Sequence, residues 1–269
     1  MDRRYLIVLV VGLVAIGIGV VAFTSLSSPQ ATPLGSDQRY PAGAGPDHIN
    51  FSALDTDDHN VSHTPRKSWD SYAIIYTGPP ERRLVEGSYY INSSTGEIIG
   101  QRWHNATVYI NGSTYAFVQP ANSIPEHQRD QFKLDPQFVY ETTTDAYYRY
   151  DPHYGQVAPT NIGRHPDILN AYTWMAINTT THHGVPVITY RLSDKRPAAT
   201  HVPSPITGTL RLGVEDGIVY AFDIRLDADE RIYQYRYSVR PAPFPDHGWV
   251  NTAREVGSAN RSSNGSSDN

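Results

Sequence analysis

The side chains best suited to chemistry in this sequence are its eleven histidines and a set of acids near the C-terminal end. His182 and His183 are adjacent, and a fold could bring His153, His165 and His201 toward them. Neighbouring residues on a regular strand point to opposite faces, so the adjacent pair cannot grip one ion together. Neither an H-E-x-x-H nor an H-x-H spacing occurs, and a catalytic zinc takes three protein ligands. No metal is expected. Glu215, Asp216, Asp227, Asp229 and Glu230 fall in "VEDG" and "DADE". Loops that short cannot wrap the roughly six to eight oxygen ligands of calcium, so solvated turns are expected. There is no G-x-S-x-G elbow, no P-loop and no G-x-G-x-x-G. Cysteine is absent, which excludes disulfides, thiolate metal sites and a thiol nucleophile. The expectation is a protein that is not an enzyme and has no cofactor.

The aromatic residues carry the other candidate function. Tyrosine is abundant at 19 residues, and it favours half-buried pleated surfaces. Ile218, Tyr220, Phe222, Ile224 and Leu226 alternate onto one face, as do Tyr233, Tyr235, Tyr237 and Val239. These stripes can be ordinary core, or they can line an apolar pocket. The candidate ligand-binding set is Tyr172, Trp174, Met175, Tyr220, Phe222, Tyr233, Tyr235 and Tyr237. Buried phenols want partners, so the face bearing Tyr233, Tyr235 and Tyr237 is expected to meet water, a polar headgroup or a protein.

The elements that would position these residues are mostly strands. "GSYYI" and "EIIGQRW" flank the turn "NSSTG", and "ATVYI" and "STYAFV" flank "NG", a strong hairpin signal. "GTLRL", "GIVYAFDIRL" and "RIYQYRYSV" read as a three-strand meander. Further strands are "SYAIIYT", "FVYET", "AYYRY" and "VPVITYRL". Two helices are expected. Ser123 and Glu126 suggest a capping box over "SIPEHQRDQF". In "HPDILNAYTWMAI", Ile168, Leu169, Tyr172, Met175 and Ala176 form an apolar helical stripe starting after Pro166. The fold class expected is mainly β: a curved antiparallel sheet, a half-barrel, covered by one or two helices.

The compartment is read from both ends of the chain. Residues 5 to 23 run uncharged, about 28 Å as a helix, close to the ~30 Å hydrocarbon core. Arg3 and Arg4 precede the run and the next basic residue is Arg39, so the N-terminus is expected in the cytoplasm and the remainder outside. A cleaved signal peptide, with a twin-arginine spacing in "RRYLI", is the competing reading and exports the same residues. The expected layout is a cytoplasmic stub 1–4, a single transmembrane helix 5–23, a flexible tether 24–47, a β domain 48–256 and a disordered tail 257–269. With 13 Asn and 42 Ser plus Thr among 269 residues, chance places about two N-x-S/T triplets (13 × 42/269). Eight occur, at Asn50, Asn60, Asn92, Asn105, Asn111, Asn178, Asn260 and Asn264. All lie beyond the proposed span, on the side where glycans are added. The formal charge of −5 gives no cause to expect a nucleic-acid partner.

The order of anchor, tether, hairpin meander, inserted helix and three-strand meander resembles the half-barrel of the LolA-like lipoprotein-carrier superfamily, including LppX/LprG-type lipid-binding proteins. "VEGSYYINSSTGEIIG", "AYYRYDP" and "GTLRLGVEDGIVYAFDIRL" are similar to uncharacterised exported proteins of halophilic archaea. Many of those carry a lipobox cysteine, which this chain replaces with its membrane span. The resemblance covers roughly residues 70 to 250 and implies a hydrophobic cavity between sheet and helix that accepts lipid. It carries over no site residue. The expected function is therefore a membrane-anchored domain binding a hydrophobic or amphiphilic ligand, in the manner of a lipid carrier. The alternative is a structural or adhesive module of the cell envelope that binds protein or glycan.

Overall fold

The computed structural model describes residues 31–54, 69–78, 86–102, 107–111, 114–150, 166–228 and 231–255. Among them, thirteen strands join one open sheet. They are β1 (Thr32–Pro33), β2 (Ser71–Thr77), β3 (Gly87–Asn92), β4 (Ile98–Arg102), β5 (Thr107–Asn111), β6 (Thr114–Pro120), β7 (Phe138–Glu141), β8 (Ala146–Tyr150), β9 (Tyr172–His182), β10 (Val185–Lys195), β11 (Ser204–Gly213), β12 (Val219–Ala228) and β13 (Arg231–Pro241). The spatial order is β1-β9-β10-β11-β12-β13-β2-β3-β4-β5-β6-β8-β7. Every pairing is antiparallel. The short helices are α1 (Phe51–Leu54), α2 (Glu126–Leu134), α3 (Pro166–Asn170) and α4 (248–255).

Turn chemistry fixes the register locally. Asn92 Oδ1 accepts the backbone N–H groups of Ser94 and Thr95, and Gly96 at φ 71° lets the β3–β4 turn close. Asp216 does the same between β11 and β12 by accepting the Ile218 N–H, with Gly217 at φ 65°. The β9–β10 turn uses His183 and Gly184, both left-handed at φ 48° and 82°. Four strand spacings separate β9 from β13, about 19 Å on a flat sheet. Yet His182 Nε2 lies 2.6 Å from the Val239 carbonyl oxygen. This end of the sheet is therefore strongly curled.

One face of the sheet carries the main core. Trp174, Tyr190, Leu210, Leu212, Phe222, Ile224, Tyr237, Ile74 and Ile91 belong to a single buried cluster drawn from β2, β3 and β9–β13. Residues of the segment 31–54 cover it. Ile49 and Phe51 are buried in that cluster, with Leu34, Tyr40 and Leu54 packed against it. Backbone contacts hold the segment down: Ala176 N–H donates to the Pro46 carbonyl at 2.7 Å, and the Arg196 guanidinium donates to the Ile49 carbonyl at 2.7 Å. On the opposite face, Val250 and Ala253 of α4 pack on Ile99, Tyr109, Val118 and Tyr148. Phe132 of α2 packs beside Tyr147 at the β7–β8 end.

The structure differs from the sequence expectations in three places. The apolar stripe of residues 166 to 177 is not one helix. α3 ends at Asn170, and Tyr172 opens an eleven-residue strand. Tyr172, Trp174 and Ala176 also fit a period of two, and the run continues into Thr179, Thr180 and Thr181, whose branched side chains suit a strand. Ten cross-strand partners on β10 then decide the outcome. The capping box is also absent. Ser123 ends a 3₁₀ turn and donates to the Pro120 carbonyl, while α2 begins after Pro125 without a side-chain cap. Residues 31–47, expected as part of a flexible tether, lie on the sheet, because Tyr40, Ala44 and their neighbours have an apolar surface to cover. The proposed span 5–23 and tail 257–269 lie outside the described residues; among those described, no helix is long and apolar enough to cross a membrane.

Candidate functional site

The inner face of β9–β13 is where the aromatic candidates meet. Tyr172, Trp174, Tyr220, Phe222 and Tyr237 are all buried there. Their polar ends are used internally. The Trp174 indole N–H donates to the Leu169 carbonyl at 3.0 Å, which ties the strand to α3. The Tyr172 hydroxyl donates to the Pro203 carbonyl at 2.9 Å, and burial pushes its pKa up to about 12. The Tyr220 hydroxyl donates to Asp216 Oδ2 at 2.6 Å. Phe222 and Tyr237 stack across β12 and β13 with centroids 5.2 Å apart. Of the β13 tyrosines expected to meet water, a polar headgroup or a protein, Tyr233 and Tyr235 are half-buried and pack against the core cluster, and Tyr237 lies within it. Met175 points away from this face and is exposed, because it alternates with Trp174 on a strand rather than following it around a helix.

Tyr190 was not among the sequence candidates. Its ring lies in the same core, opposite Ala176 and Leu210. Its hydroxyl is the one buried side-chain polar atom among the described residues with no hydrogen-bond partner. Burial raises its pKa. Tyr190 lies inward on β10, but no pattern in one strand reveals an unmet hydroxyl.

Of the histidines, His153 and His165 lie outside the described residues and His201 is exposed. Among the described residues no three His, Asp or Glu side chains converge as metal ligands. His182 is instead a neutral structural group. Its Nε2–H donates to the Val239 carbonyl, and its Nδ1 accepts from Arg211 Nη1 at 3.2 Å. Burial first, then the nearby positive groups, lowers its pKa to about 4. Of the acids, Asp216 is a turn and tyrosine partner, Glu215 and Asp227 are exposed, and Asp229 and Glu230 lie outside the described residues.

A second polar cluster, on the outer face, was missed by sequence reasoning. Glu97 is buried at the β3–β4 turn, where its carboxylate accepts Arg254 Nε at 2.7 Å and Nη2 at 2.9 Å. Tyr109 and Thr95 hydroxyls donate to the same carboxylate. The guanidinium beside it holds the Glu97 pKa below the usual carboxylate value. This bidentate pair fastens α4 to the sheet.

Four sequons fall in described residues. Asn50 is exposed at the start of α1, Asn92 and Asn111 sit at hairpin turns, and Asn178 is paired on both sides within β9. Asn60, Asn105, Asn260 and Asn264 lie outside them. The chain matches no protein-family model, no curated protein and no solved structure.

Proposed function

We propose that this chain is a single-pass, membrane-anchored β domain of the cell exterior that works through its surface, as a structural or adhesive module of the envelope. The observation that carries this choice is the occupied inner face. Ile49 and Phe51 are buried against the sheet face that a lipid carrier of the LolA-like kind would offer to its guest. The candidate lining residues also spend their polar groups within the chain. N-glycans on the turn residues Asn92 and Asn111 fit an exterior domain. The anchor, with the N-terminus in the cytoplasm, rests on residues 5–23 and the two arginines ahead of them.

A second function, the binding of a lipid or other amphiphile, is favoured by one observation. The unmet Tyr190 hydroxyl and the half-buried Tyr233 and Tyr235 supply polar groups beside apolar core. An organic extract of the purified full-length chain, analysed by mass spectrometry, separates the two. We expect no lipid in fixed proportion to protein. One lipid per chain would reverse the choice. Crosslinking on intact cells should recover protein or glycan partners, and protease added to those cells should remove the β domain.

A further inference from the structure

The outer face of β9–β13 differs from the rest of the surface. α4 covers the outer side of β4–β6 and β8, not that of β9–β13. Strand register places Met175, Arg191, Thr209, Asp223 and Arg236 in one row across them. Arg236 is paired with Asp223 at 3.0 Å. Arg191 and Arg225 are exposed and have no hydrogen-bond or ion-pair partner among the described residues. Met175 and Ile232 on the same face are 44% and 60% exposed. Ile232 lies opposite Asp227, two residues along β12 from Arg225, so both project to this side. The two unpaired arginines, set beside the exposed Met175 and Ile232, suit an interface of anionic headgroups above acyl chains.

Chain connection selects the occupant. Thr32 is paired with Thr179 on β9. Thr32 is only nine positions along the chain from the end of the apolar run at Phe23. Nine extended residues reach about 30 Å at most. If residues 5–23 span the bilayer, as the proposed function holds, Thr32 stays within that reach of the lipid surface, with Met175 four residues along β9 from its partner Thr179. A soluble partner has no such enforced proximity. We propose that the outer face of β9–β13 docks on the anionic headgroups of the membrane in which the chain is anchored.

The chain has no cysteine, so single reporters can be placed cleanly. Ile232→Cys and, at the far end of the sheet, Leu134→Cys (83% exposed) are each labelled with a polarity-sensitive fluorophore in the full-length chain. The chain is then reconstituted in nanodiscs of phosphatidylcholine with or without phosphatidylglycerol, with spin-labelled lipid as quencher. We expect several-fold stronger quenching at position 232 than at 134 in the anionic discs. That difference should vanish in high salt and in the Arg191→Gln/Arg225→Gln variant. Equal quenching at the two positions, or quenching unaffected by the arginine replacements, overturns the proposal. A position-232 reporter silent in discs but shifted by soluble polyglutamate assigns the face to a soluble polyanion and also overturns it. A chain that does not co-purify with discs overturns the anchor itself, a failure distinct from the others.

Discussion

Replacing Arg254 with Ala tests the reasoning about the outer-face latch. The Glu97 side chain is 7% exposed and that of Arg254 44%, so the variant leaves a buried carboxylate with only the Tyr109 and Thr95 hydroxyls. Breaking a fully buried pair costs about 3–5 kcal/mol. The partial exposure of Arg254 brings water to the site and reduces this to about 2–3 kcal/mol. At roughly 2–4 °C per kcal/mol for a chain of this size, the melting temperature should fall by about 5–10 °C. The pH dependence gives a second check. In the parent chain the Glu97 pKa is lowered, so its contribution is present above the ordinary value of 4.5 and is lost as pH falls through the folded value. In the variant, burial without the guanidinium should raise that pKa, so protonation stabilises the folded form. The gap between the two proteins should then shrink between pH 7 and pH 5. Adding Glu97→Gln to the variant should recover part of the loss, because an amide tolerates the site better than a lone carboxylate. Thermal and urea melts of the full-length chain in detergent would measure all three. A loss under about 0.5 kcal/mol, or a gap independent of pH, would show that α4 is held by its apolar contacts alone.

Three further outcomes follow from the same packing. Because the folded pKa of His182 is lowered from 6.5 to about 4, its contribution is full above pH 6.5 and is lost as pH falls toward 4. The loss is at most about 3 kcal/mol, and His182→Gln should flatten that limb of the stability curve measured at pH 7 and pH 4.5. Gly100→Ala would place a methyl 2.5 Å from Val108 Cγ2 and 3.0 Å from the Tyr89 ring, so a destabilisation of about 1–3 kcal/mol is expected in urea titrations. Phe51→Ala should cost about 3–5 kcal/mol by the same assay, since its ring is buried in the core; a change near zero would return residues 31–54 to the status of a tether.

Local pattern determined the strands. The period-two stripes of Tyr220 to Leu226 and Tyr233 to Val239 and the turn residues of "NSSTG" and "VEDG" were legible, because alternation and turn chemistry act over a few residues. The placing of "AYTWMAI" was not. Its apolar positions satisfy both 3.6- and two-residue periods, and only pairing with β10 selected the strand. The occupant of the inner face was hidden for a related reason: the apolar side chains of residues 31–54, Leu34, Tyr40, Ile49, Phe51 and Leu54 among them, follow no helical or strand period, and they matter because a curled sheet stands opposite. Glu97 and Arg254 are 157 residues apart in sequence, and no periodicity links them. The sequence by itself determined which segments could pair and where they turn, whereas the tertiary structure alone decided what covers the inner face, which polar groups meet and which arginines are left facing outward. Those outcomes depend on long-range proximity, which the curl of the assembled sheet creates and no single strand encodes.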